Sequence, residues 1–94
     1  MSIQEAVAEA QAAAHGYRER SPAAADAFLA ELDRTIEKIA VDPGIWPRYV
    51  AGTQRFLLKR FPFSVVFRLV SNRIQVVAIA HRRRKPGYWK GRLA

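Results

Sequence analysis

A chain of 94 residues, half of them hydrophobic and 11% aromatic, has the make-up of a single globular domain with one modest core, which excludes a disordered or multi-domain protein. With no cysteine, a disulfide scaffold and a thiolate metal site are excluded, in keeping with a reducing compartment. The formal net charge of +8 is unevenly spread: residues 1–42 hold all eight acids and four bases, while residues 43–94 hold twelve bases and no acid.

That division, net −4 against net +12, points to a polyanion or an acidic protein as partner, because a surface that serves only solubility mixes its signs. Glu5, Glu9 and Glu19 interrupt the first twenty residues, unlike the apolar stretch of a secretory signal. No apolar run approaches the roughly 20 residues of a membrane span. A soluble, cytoplasmic protein is expected.

The acidic half reads as a helical hairpin. Ile3, Val7, Ala10, Ala14 and Tyr17 recur at spacings of three and four, with Glu5, Glu9 and Gln11 off that stripe. Ser21-Pro22 restarts the helix, Ser as N-cap and Pro at the first helical position. Phe28, Leu32, Ile36 and Ile39 then form a second apolar stripe, opposite Asp26, Asp33, Arg34, Glu37 and Lys38. Asp42-Pro43-Gly44 ends it, and Trp46 is expected to pack the loop that follows.

Beyond that loop the period falls to two. A strand over roughly 55–60 is followed by RFPFSVVFRLV, in which Phe61, Phe63, Val65, Phe67 and Leu69 alternate. Ser71-Asn72 suits a two-residue hairpin turn. Counting outward from it pairs Val70 with Arg73, Leu69 with Ile74, Phe67 with Val76, Val65 with Ala78 and Phe63 with Ala80, all but the first on one face. Arg68, Val66, Ser64 and Pro62 then face Gln75, Val77, Ile79 and His81 on the other. The expected fold is α+β: one domain, 1–94, comprising a helical hairpin (1–42) on an antiparallel meander (53–81) of about three strands, with a basic tail (82–94).

The segments YRERSPAAADAFLAELDRTIEKIAVDP (17–43) and RFLLKRFPFSVVFRLVSNRIQVVAIAHRRRKPGYW (55–89), with their spacing, resemble the RelE/ParE superfamily of toxins from bacterial type II toxin–antitoxin modules. The resemblance covers some four-fifths of the chain. It implies a helical hairpin on a small twisted antiparallel sheet, and a cognate antitoxin, acidic in character, that wraps and neutralises the toxin. Members usually begin with a short strand before the first helix, whereas here the helix pattern begins at Ile3. A three-stranded sheet with an exposed edge is therefore implied, an edge an antitoxin segment could fill by strand addition.

Similar toxins act in two ways: some cut messenger RNA on the ribosome, others inhibit DNA gyrase without chemistry of their own. Metal-free RNA cleavage needs a base, an acid and cations that stabilise the phosphorane. The candidates are His81 as base or acid, Tyr88 as acid, and Arg68 as charge stabiliser. Lys59, Arg60, Arg82, Arg83, Arg84 and Lys85 are candidates for gripping phosphate or target. The basic half offers Mg²⁺ no carboxylate, and His15 and His81 lie on separate elements, so neither metal nor cofactor is implied. Each candidate also has an ordinary reading: a hydrogen-bonded surface histidine, a solvated tail, aromatics buried as core (at least one of Tyr88 and Trp89), and an arginine paired with an antitoxin carboxylate. The sequence leans slightly toward cleavage, because docking alone would not need His81 and Tyr88. Gyrase inhibition is the alternative, and a non-toxic nucleic-acid-binding module the third reading.

Overall fold

The computed structural model describes residues 2–93. Helix α1 spans Gln4–Arg20 and α2 spans Pro22–Val41. Only Ser21 separates them: its amide donates to Tyr17 O at 2.9 Å, closing the first helix, and its hydroxyl accepts from the Ala24 amide at 3.4 Å, opening the second. Three strands follow, β1 (Gln54–Leu57), β2 (Phe63–Val70) and β3 (Arg73–His81), in an antiparallel sheet of order β1-β2-β3. The α+β architecture expected from the sequence, two helices on three strands, is the one observed. No helix among the described residues is long and apolar enough to cross a membrane.

The helices cover one face of the sheet. Phe28, Leu32 and Ile39 of α2 and Ala6 and Ala14 of α1 are buried against Val65, Phe67, Val76 and Ile79. Tyr17, Phe28, Phe61 and Phe63 form an aromatic knot with centroid separations of 5.1–6.4 Å, mostly in the edge or tilted arrangements that ring quadrupoles favour. Trp46 joins the core, its ring 4.6 Å from that of Phe56. The packed stripe of α1 is Ala6, Ala10, Ala13, Ala14 and Tyr17, not the Val7 line: Val7 is exposed, and Ile3 packs on the opposite face of the sheet. Small residues let α1 lie close to its neighbours, so the alanines, rather than the larger apolar residue, turn inward.

The hairpin turn is as read: Ser71 and Asn72 both have positive φ, 50° and 63°, as a type I′ turn requires. The register holds from Val70↔Arg73 to Phe67↔Val76 and then slips by one residue. A β-bulge places Val77 as an extra residue, so Val66 pairs with Ala78, Val65 with Ile79, Ser64 with Ala80 and Phe63 with His81. The expected pairs Val66–Val77, Val65–Ala78, Ser64–Ile79, Phe63–Ala80 and Pro62–His81 are therefore corrected. Val77 and Ala78 both end up on the side away from the helices, with Val66 and Trp89, and Ile79 turns toward the helices. A bulge inverts the alternation after it, and four consecutive apolar residues, Val76 to Ile79, carry no mark of where it falls.

Two further expectations are corrected. β1 ends at Leu57, because Leu58 is buried and Lys59 and Arg60 turn toward α2. The outer edge of β3 is not left open for a partner strand. Ser2 forms a parallel bridge with Val76, and the Ile3 amide donates to Val76 O at 2.9 Å. Further along the same edge, the Glu9 carboxylate accepts from the Ile79 amide at 3.1 Å and the Arg92 guanidinium donates to Val77 O at 3.0 Å. Side chains thus supply the acceptor and donor that a neighbouring strand would otherwise provide.

Candidate interaction site

Among the described residues no α-helix covers the second face of the sheet. The chain after β3 folds back across it instead. Lys85-Pro86-Gly87-Tyr88 is a β-turn, with the Tyr88 amide donating to Lys85 O at 3.2 Å and Gly87 at φ 81°, as a type II turn with Pro and Gly at its centre requires. This reversal drives Trp89, 1% exposed, onto Val66, Val77 and Ala78, and a 3₁₀ turn, Lys90–Leu93, ends the described chain. From Gly87 onward the tail packs back on the sheet, with Trp89 its core residue, whereas Arg82 to Pro86 stay exposed, as a solvated stretch would.

Glu9 fastens it. The carboxylate receives both arms of the Arg92 guanidinium, at 2.9 and 3.1 Å, the Tyr88 hydroxyl, and the Ile79 amide. Burial pushes this carboxyl up, but the hydrogen bonds from Arg92, Tyr88 and Ile79 outweigh it and hold the group below the usual carboxylate range. The Tyr88 phenol moves the other way: burial and the bond to Glu9 raise it well above its ordinary value. Bonding to Glu9 likewise raises Arg92. The clasp joins α1, the edge of β3 and the tail through one side chain.

Between β1, the end of β3 and the tail lies a groove of about 420 Å³. Leu57, Val66, Ala80 and Trp89 give it an apolar lining; Arg55, His81, Arg82, Arg84 and Lys85 stand around it, and among the described residues no acidic one lines it. Arg55 lies over the Tyr49 ring with Cζ 4.1 Å from the centroid, and Arg84 over Tyr88 at 3.8 Å. His81 packs edge-on to Phe63 at 5.0 Å, and its Nδ1 accepts from the Arg83 amide at 3.1 Å.

The structure brings only part of the sequence-derived set together. His81, Arg82, Arg84, Lys85 and Tyr88 line the groove, with Arg83 beside them in the tail. Arg68 lies further along β2, its Nε donating to Gln75 Oε1 at 2.7 Å and its Nη1 to Leu93 O at 3.4 Å. Lys59 and Arg60 sit elsewhere, beside α2, where Glu31 accepts from both backbone amides and from Arg60 Nε. Burial raises the Glu31 carboxyl, yet Arg60 and these amides bring it below its usual range. Sequence reading missed Glu9, Tyr49, Arg55 and Arg92 as parts of the site. The alternation of Arg55 with the inward Phe56 was a usable signal for Arg55; nothing in the helical pattern distinguishes Glu9.

Residues 4–86 match the model of a protein family described as the ParE toxin of the type II toxin–antitoxin system parDE. The chain belongs to the ParE toxin family. A ParE-family chain of this kind is the toxin component of a type II toxin–antitoxin module, and such a module implies a cognate antitoxin. Among solved structures, one titled "Chromosomal ParDE TA system from P. aeruginosa" is similar at 23% identity with a TM-score of 0.76, covering 85% of this chain and 90% of that one. At that identity the likeness concerns the fold: this ParE-family member shares the helical hairpin and sheet. No curated protein matches it.

Proposed function

We propose that this toxin arrests growth by docking on DNA gyrase through its cationic groove, without cleaving a substrate itself, and that the antitoxin neutralises it by covering the same groove with acidic side chains. The observation that carries this reading is where the candidate nuclease groups lie. The Tyr88 hydroxyl is committed to Glu9 and its proton is held more tightly than in a free phenol, which makes it a poor general acid. Arg68 is committed to Gln75 and the tail, and Lys59 and Arg60 lie beside α2. What the groove offers is a concentration of cations around an apolar lining, which suits association with an acidic protein surface.

One observation favours the other reading, ribosome-dependent messenger RNA cleavage: His81 stands among Arg82, Arg84 and Lys85 at the groove, a base beside phosphate-binding cations. Induction without antitoxin separates the two. Under the docking reading DNA synthesis stops before protein synthesis, and both His81→Ala and Tyr88→Phe remain toxic. Early arrest of translation, with toxicity lost in His81→Ala, would replace it with cleavage.

A further inference from the structure

The two sides of the groove share a device that neither the fold nor the net charge demands. β1 contributes Arg55 laid on the ring of Tyr49, and the tail contributes Arg84 laid on the ring of Tyr88. In the sheet order, Ser64 and Val66 of β2 lie between them. Neither guanidinium pairs with a carboxylate among the described residues. Stacking on a ring holds a guanidinium plane in place and leaves its N–H edge available, so less rotamer freedom remains to be lost when a carboxylate arrives.

We infer that the groove binds a protein segment in which a bulky apolar side chain is flanked by two carboxylates, the apolar group lying on Leu57 and Ala80, above the buried Val66 and Trp89, and the carboxylates on Arg55 and Arg84. This rests on the docking reading and specifies the chemistry the docked segment presents. Charge complementarity chooses acidic partners, and the apolar lining chooses among them. A nucleic acid strand fits less well. Proteins that hold single strands offer bare aromatic faces on which bases stack; here Trp89 is 1% exposed, and Tyr49 and Tyr88 already carry arginines. A cavity of about 420 Å³ is of the size that takes a short segment rather than an extended surface.

The test uses the full-length toxin and a fluorescent synthetic peptide carrying Glu-Leu-Glu between Gly-Ser flanks, followed by anisotropy at physiological ionic strength. Peptides with Gln-Leu-Gln and Glu-Gly-Glu, and a short oligothymidylate, serve as comparisons. The Glu-Leu-Glu peptide should bind best, with both altered peptides weaker by about tenfold or more, the scale of losing charge-assisted hydrogen bonds or a buried side chain. Arg55→Gln and Arg84→Gln should each weaken it to a similar degree, while Arg34→Gln on α2 leaves it unchanged. Equal binding of Glu-Leu-Glu and Glu-Gly-Glu, tighter binding of the oligonucleotide, or an unaltered Arg55→Gln, Arg84→Gln double variant would overturn the inference. Thermal melting of each variant checks folding, and the peptide changes test the site without altering the protein. A gyrase supercoiling assay keeps the two claims apart. Gyrase inhibition that survives in the double variant defeats this site but not the docking reading. Peptide selectivity in a toxin that leaves gyrase untouched defeats the docking reading but not the site.

Discussion

The two faces of this sheet are covered in different ways. One carries a helical hairpin whose aromatic knot and aliphatic stripe mesh with Phe63, Val65, Phe67 and Ile79. The other is covered by the short tail together with Ile3 and Tyr49, with Trp89 as its plug and the Glu9–Arg92–Tyr88 clasp as its fastening. The first face is held by area removed from water, which is non-directional and spread over many residues. The second has a smaller cluster centred on the Trp89 ring and tied down by one carboxylate, and beside it lies the cationic groove. Stability is thus concentrated on the side away from the groove, and the groove's shape depends on a few nameable contacts.

Truncation tests that contrast directly. Phe28→Ala and Trp89→Ala should each cost about 3–5 kcal/mol, as large aromatic deletions from cores do, measured by denaturant unfolding. Phe28→Ala should lower the stability of the whole domain. Trp89→Ala should in addition speed hydrogen exchange at Val77 to Ile79 and weaken target binding, because the tail loses its anchor. Equal exchange in the two variants would mean the faces do not differ in the way described.

Breaking the clasp comes next. Glu9→Ala should cost toward the lower end of the roughly 3–5 kcal/mol of a broken buried pair, since both partners retain some exposure, and the Ile79 amide should lose protection. The pH dependence has a definite sign. Glu9 is lowered in the folded state, so its stabilisation is present above the unfolded value of about 4.3 and lost as pH falls through the folded one. Glu31 acts in the same sense beside α2. Glu9→Gln should therefore flatten part of the acid limb of a stability–pH curve and leave the rest.

Tyr88→Phe is a milder change, removing one hydrogen bond to a charged group at about 1.5–3 kcal/mol while keeping the ring under Arg84. Because the phenol is raised in the folded state, its contribution is full below about pH 10 and fades as pH rises through the folded value. The variant should show a flatter alkaline limb and, under docking, undiminished toxicity. Smallest of the set, Ser21→Ala should cost about 0.5–1 kcal/mol, given the long 3.4 Å cap bond, and leave the groove untouched. An effect on target binding would show that the two faces are mechanically coupled.

Secondary structure, the hairpin turn and the helix-facing side of β2 were legible because each is written in a local period: three to four residues for the helices, two for the strand, and a Ser-Asn pair that tolerates positive φ. The concentration of cations in the second half was legible from composition alone. The grouping of those cations was not. One inserted residue at Val77 inverted the alternation of the rest of β3, the early end of β1 sent Lys59 and Arg60 to α2 and away from Arg55 at the groove, and Glu9, an unremarkable acid on a helix flank, found Arg92 eighty-three residues away. Periodicity records which face a residue takes relative to its neighbours in sequence. Which distant groups then share a hydrogen bond depends on where elements stop and slip, and only the assembled tertiary structure decides that.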